Sequence, residues 1–162
     1  MNCGSGRTYK THGLSIVSCN GTPIRLAADF DNALEYALPV EVLGERSFQL
    51  LAIWMARDPV HYVPNLVAIL DRYRAFLNRA PTVVLGDFNA SVTFDAQHPR
   101  YLFRTIAAKL AETGHCSAYH ASSGEPFGRN RDRLTFAPTT ARNLFISITC
   151  SSRMSGGKMC VR

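Results

Sequence analysis

Apolar positions along the chain first cluster at residues 13–21, Gly-Leu-Ser-Ile-Val-Ser-Cys-Asn-Gly. A short aliphatic centre between glycines predicts a strand there. Residues 35–55 predict two strands joined by a turn at Gly44-Glu45-Arg46. The second of these, 48–55, is almost continuously apolar, the pattern of a central strand covered on both faces. The period then changes. Over residues 63–81, Leu66, Leu70, Tyr73 and Leu77 fall on one helical stripe, with Ile69 and Phe76 beside it. Pro64 suits a first helical turn and Pro81 follows the end. A strand over 82–86 comes next, then a second helix over 99–114, with Pro99 near its start and Gly114 as its stop. Leu102, Phe103, Ile106, Ala107 and Leu110 form its apolar face. Residues 115–136 read as loop, with one short strand around 117–120. From residue 137 onward the periodicity is lost.

The pattern isolates one stretch that carries chemistry. The apolar strand at 82–86 runs straight into Gly86-Asp87-Phe88-Asn89. In open α/β sheets, ligands gather at the carboxyl ends of strands. Gly86 lets the chain turn sharply, and Asp87 and Asn89 then project into that crevice. An Asp there can orient or deprotonate a water, and an Asn can donate to a phosphate oxygen. The same spacing also suits a plain turn, in which both side chains serve only the backbone.

Composition narrows the class. The chain of 162 residues, 46% hydrophobic, is long enough for one domain with its own core. It contains no apolar run of about 18 residues, so no membrane span is expected. Its first ten residues lack the apolar centre of an export signal. The five cysteines include no Cys-x-x-Cys pair, which points to reduced thiols and a cytoplasmic protein. Of the 18 basic and 12 acidic residues, residues 1–128 hold 11 of each. The net charge of +6 therefore lies wholly in residues 129–162, where seven basic residues face Asp132 alone.

The motif "VVLGDFNAS" resembles the central motif of the endonuclease/exonuclease/phosphatase superfamily, metal-dependent hydrolases of phosphoesters. Other segments are similar in the same order: "THGLSIVS", "YALPVEV…FQLLAIWM" and "GHCSAYHASSGEPFG…LTF", so the resemblance covers residues 11–136. It implies a DNase I-like fold, a layered α/β sandwich of mixed β-sheets flanked by helices. It implies Mg²⁺ as cofactor and a phosphoester substrate, with nucleic acid among the candidates and no membrane partner. It places the water-activating role on Asp87 and the phosphate-holding role on Asn89. "HYVPN" at 61–65 is similar to the "YVPN" stretch of some apurinic-site nucleases, which makes Tyr62 a candidate phosphate contact. The alternative for Tyr62 is a half-buried tyrosine at a helix start.

The departures are as informative. The family's early strand with a catalytic Asn and its metal-binding Glu should precede residue 11, and neither pattern is there; Asn2 does not fit that role. The family's "HIDY" strand and terminal Ser-Asp-His are also missing. The metal ligands are accordingly unknown, and the expectation is an incomplete domain over 1–136 with little or no activity. Residues 137–162 form an atypical basic tail. Read one frame over, the codons of Ile146 to Thr149 permit His-Ile-Asp-Tyr, so the tail is suspected to be out of frame. The rival function is a non-catalytic nucleic-acid-binding module that uses this tail.

Other features promise less. His12, His61, His98, His115 and His120 lack metal-ligand spacing and read as surface or turn residues. "SGGK" at 155–158 lacks the full phosphate-loop pattern, and "NAS" at 89–91 is a glycosylation triplet in letters only.

Overall fold

The computed structural model describes residues 14–126, apart from 20, 35 and 56–61, together with the backbone of a strand at 144–147. His12, His61, the Ser-Gly-Gly-Lys stretch and the rest of the basic tail lie outside the described residues.

The two strands expected within 35–55 form an antiparallel hairpin, β2 (Ala37–Val42) and β3 (Phe48–Trp54). Its turn is tied by Ser47 Oγ, which donates to the Gly44 carbonyl at 3.3 Å. The short β1 (Ile24–Leu26) pairs outside β2, with Arg25 ion-paired across the strands to Glu41. β4 (Thr82–Asp87) lies parallel to β3 on the other side. Beyond it come β6 (Leu144–Ser147) and β5 (Cys116–Ser117), all parallel. The sheet is mixed, in the order β1-β2-β3-β4-β6-β5. β3 is central and covered on both faces, as its nearly continuous apolar run predicts, and residues 49–53 are all buried.

Three helices pack against one face. α1 (Tyr62–Arg72) and α2 (Arg74–Arg79) cross from β3 to β4, and α3 (Phe103–Glu112) follows a single 3₁₀ turn at Val92–Phe94. Leu66, Ile69, Leu70, Phe76, Leu77, Ile106 and Leu110 meet Leu51, Ile53 and Val84 of the sheet in one continuous core. A stripe of this kind stabilises by burial, roughly 1.5–3 kcal/mol for each large apolar side chain. On the opposite face Val40, Leu50 and Leu85 form a second, smaller cluster, with Ile16, Leu38, Val42, Phe48 and Val83 packed at its margin.

Several expectations are corrected. The predicted strand at 13–21 is not one among the described residues: 14–19 form no strand, although the exposure of 14–18 alternates and Ile16 packs on the second cluster. Alternation reports which side chains are covered, not whether the backbone finds a neighbour. The first long helix is interrupted at Tyr73 (φ −95°, ψ 13°), whose hydroxyl accepts from the Asp31 amide at 3.1 Å. The second begins at Phe103 rather than near Pro99. The reason is Asp95: its buried carboxylate accepts from the Phe103 amide at 2.6 Å and from Arg104 Nε at 3.0 Å, capping the helix from eight residues upstream. The strand expected at 117–120 shrinks to Cys116–Ser117 and turns at once into α4 (Ala118–Ser123). β6 falls within the segment that shows no period in the sequence.

Two buried polar groups join the layers. Gln49 and Thr82 face each other across β3 and β4, with Thr82 Oγ1 also donating to the Ala80 carbonyl at 2.8 Å. Thr82 has spent its proton there, so the Gln49 amide must donate to it at 3.1 Å; so oriented, it also donates to Phe76 O at 2.6 Å. This fixes α2 to the sheet. At the end of α3, Thr113 Oγ1 donates to Leu110 O at 2.9 Å and lies 2.9 Å from His115 Nδ1. His115 must then carry its proton on Nδ1, which leaves Nε2 buried with no partner.

Candidate functional site

β3, β4, β6 and β5 run parallel, so their carboxyl ends form one rim of the sheet. Asp87 is the last residue of β4, at that rim. Gly86, just before it, has φ +154° and lies so close to β3 that a Cβ would stand 1.7 Å from the Ile53 carbonyl oxygen. Only glycine allows β4 to press against β3 at this point. The close approach is then locked: Met55 N–H donates to Asp87 O at 2.9 Å.

Asn89 holds the other side of the turn. It adopts φ 47°, in the left-handed region that Asn tolerates better than most residues. Its backbone N–H donates to Asp87 Oδ1 at 3.0 Å. Its side-chain amide donates to Met55 O at 2.7 Å and to Asp87 Oδ2 at 3.3 Å. Asp87 and Asn89 are thus brought together as one unit, and both amide protons of Asn89 are engaged within it. The plain-turn role is realised here, and a phosphate would have to compete for those donors.

The carboxyl group of Asp87 is half-buried. Loss of water raises its pKa above the ordinary carboxylate value, and the two Asn89 hydrogen bonds oppose that rise without cancelling it. A carboxylate with a raised pKa is a better proton acceptor near neutrality than an exposed one.

Tyr62 opens α1 and is half-buried against the helix-side core. By alternation Asp87 belongs to the opposite face, the one that carries Val83 and Leu85. The aromatic residue in register with Asp87 is instead Trp54 on β3. Trp54 N–H donates to Tyr36 O at 2.9 Å, and the two rings meet edge to face, 6.0 Å apart at 83°. The sequence contained a signal for this neighbour: in adjacent parallel strands, the last residues before each turn end at the same rim. The register itself was not readable.

The histidines divide. His115 is buried, contrary to the surface placement expected of it. Burial pushes its pKa down, because the imidazolium would lack solvent and the Thr113 backbone only partly compensates. His120 sits in α4 beside β5, 2.8 Å through Nδ1 from Ser117 Oγ and edge to face with Tyr119. Tyr119 in turn donates to Glu125 at 2.7 Å.

Among the described residues no three of His, Cys, Asp and Glu converge as a metal site. Asp87 is the one carboxylate placed at the rim motif, and a single carboxylate does not fit the several oxygen ligands that Mg²⁺ requires. Among the described residues, no helix is long and apolar enough to cross a membrane. No family model, no curated protein and no solved structure matches this chain.

Proposed function

We propose that the chain carries the central part of a phosphoester hydrolase of the endonuclease/exonuclease/phosphatase kind. The observation that carries this reading is the position of Asp87: a half-buried carboxylate with a raised pKa, held by Asn89 at the carboxyl rim of parallel strands. Asp87 would take a proton from the attacking water. Asn89 would hold Asp87 in place and, on releasing Met55, donate to the phosphate. Tyr62, at the start of α1 on the helix side of the sheet, is assigned no part at the phosphate served by Asp87. Mg²⁺ would need further oxygen ligands from outside the described residues or from a second chain, so the expected activity of this chain alone is low.

The proposal extends to the fold. The second face of the sheet is apolar and already covered, with Val40, Leu50 and Leu85 buried, the burial that a further layer would give it. A DNase I-like sandwich supplies that layer as a second sheet. The out-of-frame reading of the tail belongs to the same proposal. Sequencing of the coding DNA should then find His-Ile-Asp-Tyr one frame over at the codons of Ile146 to Thr149; a frame without it removes that part.

The direct test is hydrolysis of bis(p-nitrophenyl) phosphate and of a labelled oligonucleotide, with Mg²⁺ or with EDTA. The reading expects slow, Mg²⁺-dependent cleavage that Asp87→Asn lowers at least about 100-fold. Cleavage equal in wild type and Asp87→Asn would overturn the assignment of Asp87.

A further inference from the structure

A serine and a histidine meet at the far end of the same sheet. Ser117 is the last residue of β5, at the carboxyl end of a strand parallel to β6 and β4. It also stands at the N-cap of α4, where a serine hydroxyl ordinarily accepts from an amide of the first turn. Here the hydroxyl makes no such bond. It lies 2.8 Å from Nδ1 of His120 instead. The imidazole is braced. The Tyr119 ring meets it edge to face, 5.1 Å away at 83°, and Tyr119 Oη donates to the Glu125 carboxylate at 2.7 Å. Ser117 and His120 are each only partly buried, so solvent reaches both residues. The register sets Ser117 level with Phe145 and Val84, on the helix-side face, whereas Asp87 belongs to the other. The pair is therefore separate from the turn at Gly86 to Asn89.

A serine hydroxyl within hydrogen-bond reach of an imidazole, with the imidazole ring held by a third group, is the arrangement that activates an alcohol as a nucleophile. With the imidazole proton on Nε2, Nδ1 accepts from Ser117 and is free to take its proton. Charge selects the electrophile. The ionised group tied to the pair, through Tyr119, is the Glu125 carboxylate, and a negative charge there opposes an anionic phosphoester but not a neutral carbonyl. We propose that Ser117 is a nucleophile with His120 as its general base, and that the pair hydrolyses small neutral carboxylic esters through an acyl-serine. Ser117 Oγ bonds to the carbonyl carbon as its proton passes to His120 Nδ1. The bond from that carbon to the ester oxygen breaks, and the departing alkoxide takes the proton from Nδ1. Water then gives a proton to Nδ1 and its oxygen to the acyl carbon. Ser117 Oγ leaves, recovers the proton, and the carboxylic acid is released. This activity is independent of the reading of Asp87.

The experiment treats the full-length chain with p-nitrophenyl acetate, follows p-nitrophenolate by absorbance, and locates the acetyl group by peptide mass spectrometry. The internal reference is Ser122, an exposed serine of the same helix. The expected result is acetylation of Ser117 at least about 100-fold faster than of Ser122, the lower range for general-base assistance, followed by loss of the acetyl group from Ser117. His120→Asn, checked for folding by circular dichroism, should slow acetylation of Ser117 by the same factor. The rate at Ser117 should also rise with pH through one ionisation that His120→Asn lacks. Unfolding the wild type in urea should bring the two serines to equal rates, which tests the geometry without any substitution. Asp87→Asn should leave the acetylation unchanged, so failure of the phosphoester reading and failure of this one are distinguishable. Equal acetylation of Ser117 and Ser122 in the folded chain overturns the proposal. Folded His120→Asn that is acetylated at Ser117 as fast as wild type overturns it as well. An acetyl group that forms on Ser117 and never leaves overturns the hydrolysis.

Discussion

At the scale of single residues, the Gly86-Asp87-Phe88-Asn89 turn is built from three different physical demands. Gly86 is there because β3 leaves no room for a Cβ. Gly86→Ala should cost at least about 3 kcal/mol in urea unfolding, since the clash is with backbone and neither strand can yield alone. Asn89 is there for its amide and for its left-handed backbone, and two variants separate these. Asn89→Gly loses only the amide, whereas Asn89→Ala adds strain at φ 47° and should be about 1 kcal/mol less stable than Asn89→Gly. Both variants should raise the Asp87 pKa further, because the amide bond that favours the carboxylate is gone. A pH titration of Trp54 fluorescence checks this. The sign for stability follows from the same shift. A carboxyl group whose folded pKa is raised contributes its full stability below the unfolded value of 3.8, and loses it as pH rises through the folded pKa. Activity runs the other way, rising with pH as Asp87 ionises. His115 has the opposite shift. With its folded pKa below 6.5, the protein should lose stability as pH falls from about 6.5 toward the folded pKa, where only the unfolded chain takes up the proton. Urea unfolding at pH 7.5 and pH 5 should show a flatter pH dependence for His115→Leu than for wild type.

At the scale of elements, stripes were legible and endpoints were not. The apolar face of α1 and α2 follows directly from Leu66, Leu70, Tyr73 and Leu77, because helical spacing needs no tertiary information. The start of α3 is different. Nothing local marks Phe103, since its cap is a carboxylate eight residues upstream, brought there by the 3₁₀ turn. Asp95→Ala should cost about 2 kcal/mol in denaturant unfolding, because it removes charge-assisted bonds to orphan amides at a buried site. The ion pairs that clamp α3 to the first helices are a contrast. Lys109–Asp71 at 2.6 Å and Arg74–Glu112 at 3.5 Å are substantially exposed, and removing either pair should change stability by less than about 1 kcal/mol.

At the scale of the whole molecule, the segment read as a basic tail contributes to the sheet. β6 lies between β4 and β5, so it completes the hydrogen bonding of the strand that carries Asp87. Truncation after residue 147 removes Arg153, Lys158 and Arg162 and should leave cooperative unfolding in place. Truncation after residue 136 removes β6 too, and should expose the β4 edge and promote aggregation, visible by light scattering. If the tail is a nucleic-acid-binding device, the first truncation alone should flatten the salt dependence of binding.

The sequence by itself determined the mixed α/β class, the β2–β3 hairpin, the burial of β3 on both faces, the helix stripes, and the pairing of Asp87 with Asn89 at a strand end. These rest on period, turn chemistry and short-range spacing, all properties of neighbouring residues. The tertiary structure alone decided that the described residues 14–19 form no strand, that β6 enters between β4 and β5, that His115 is buried with one bare nitrogen, and that Trp54 is the register partner of Asp87. Each of those depends on contacts between residues far apart in the chain, for which a single sequence holds no register.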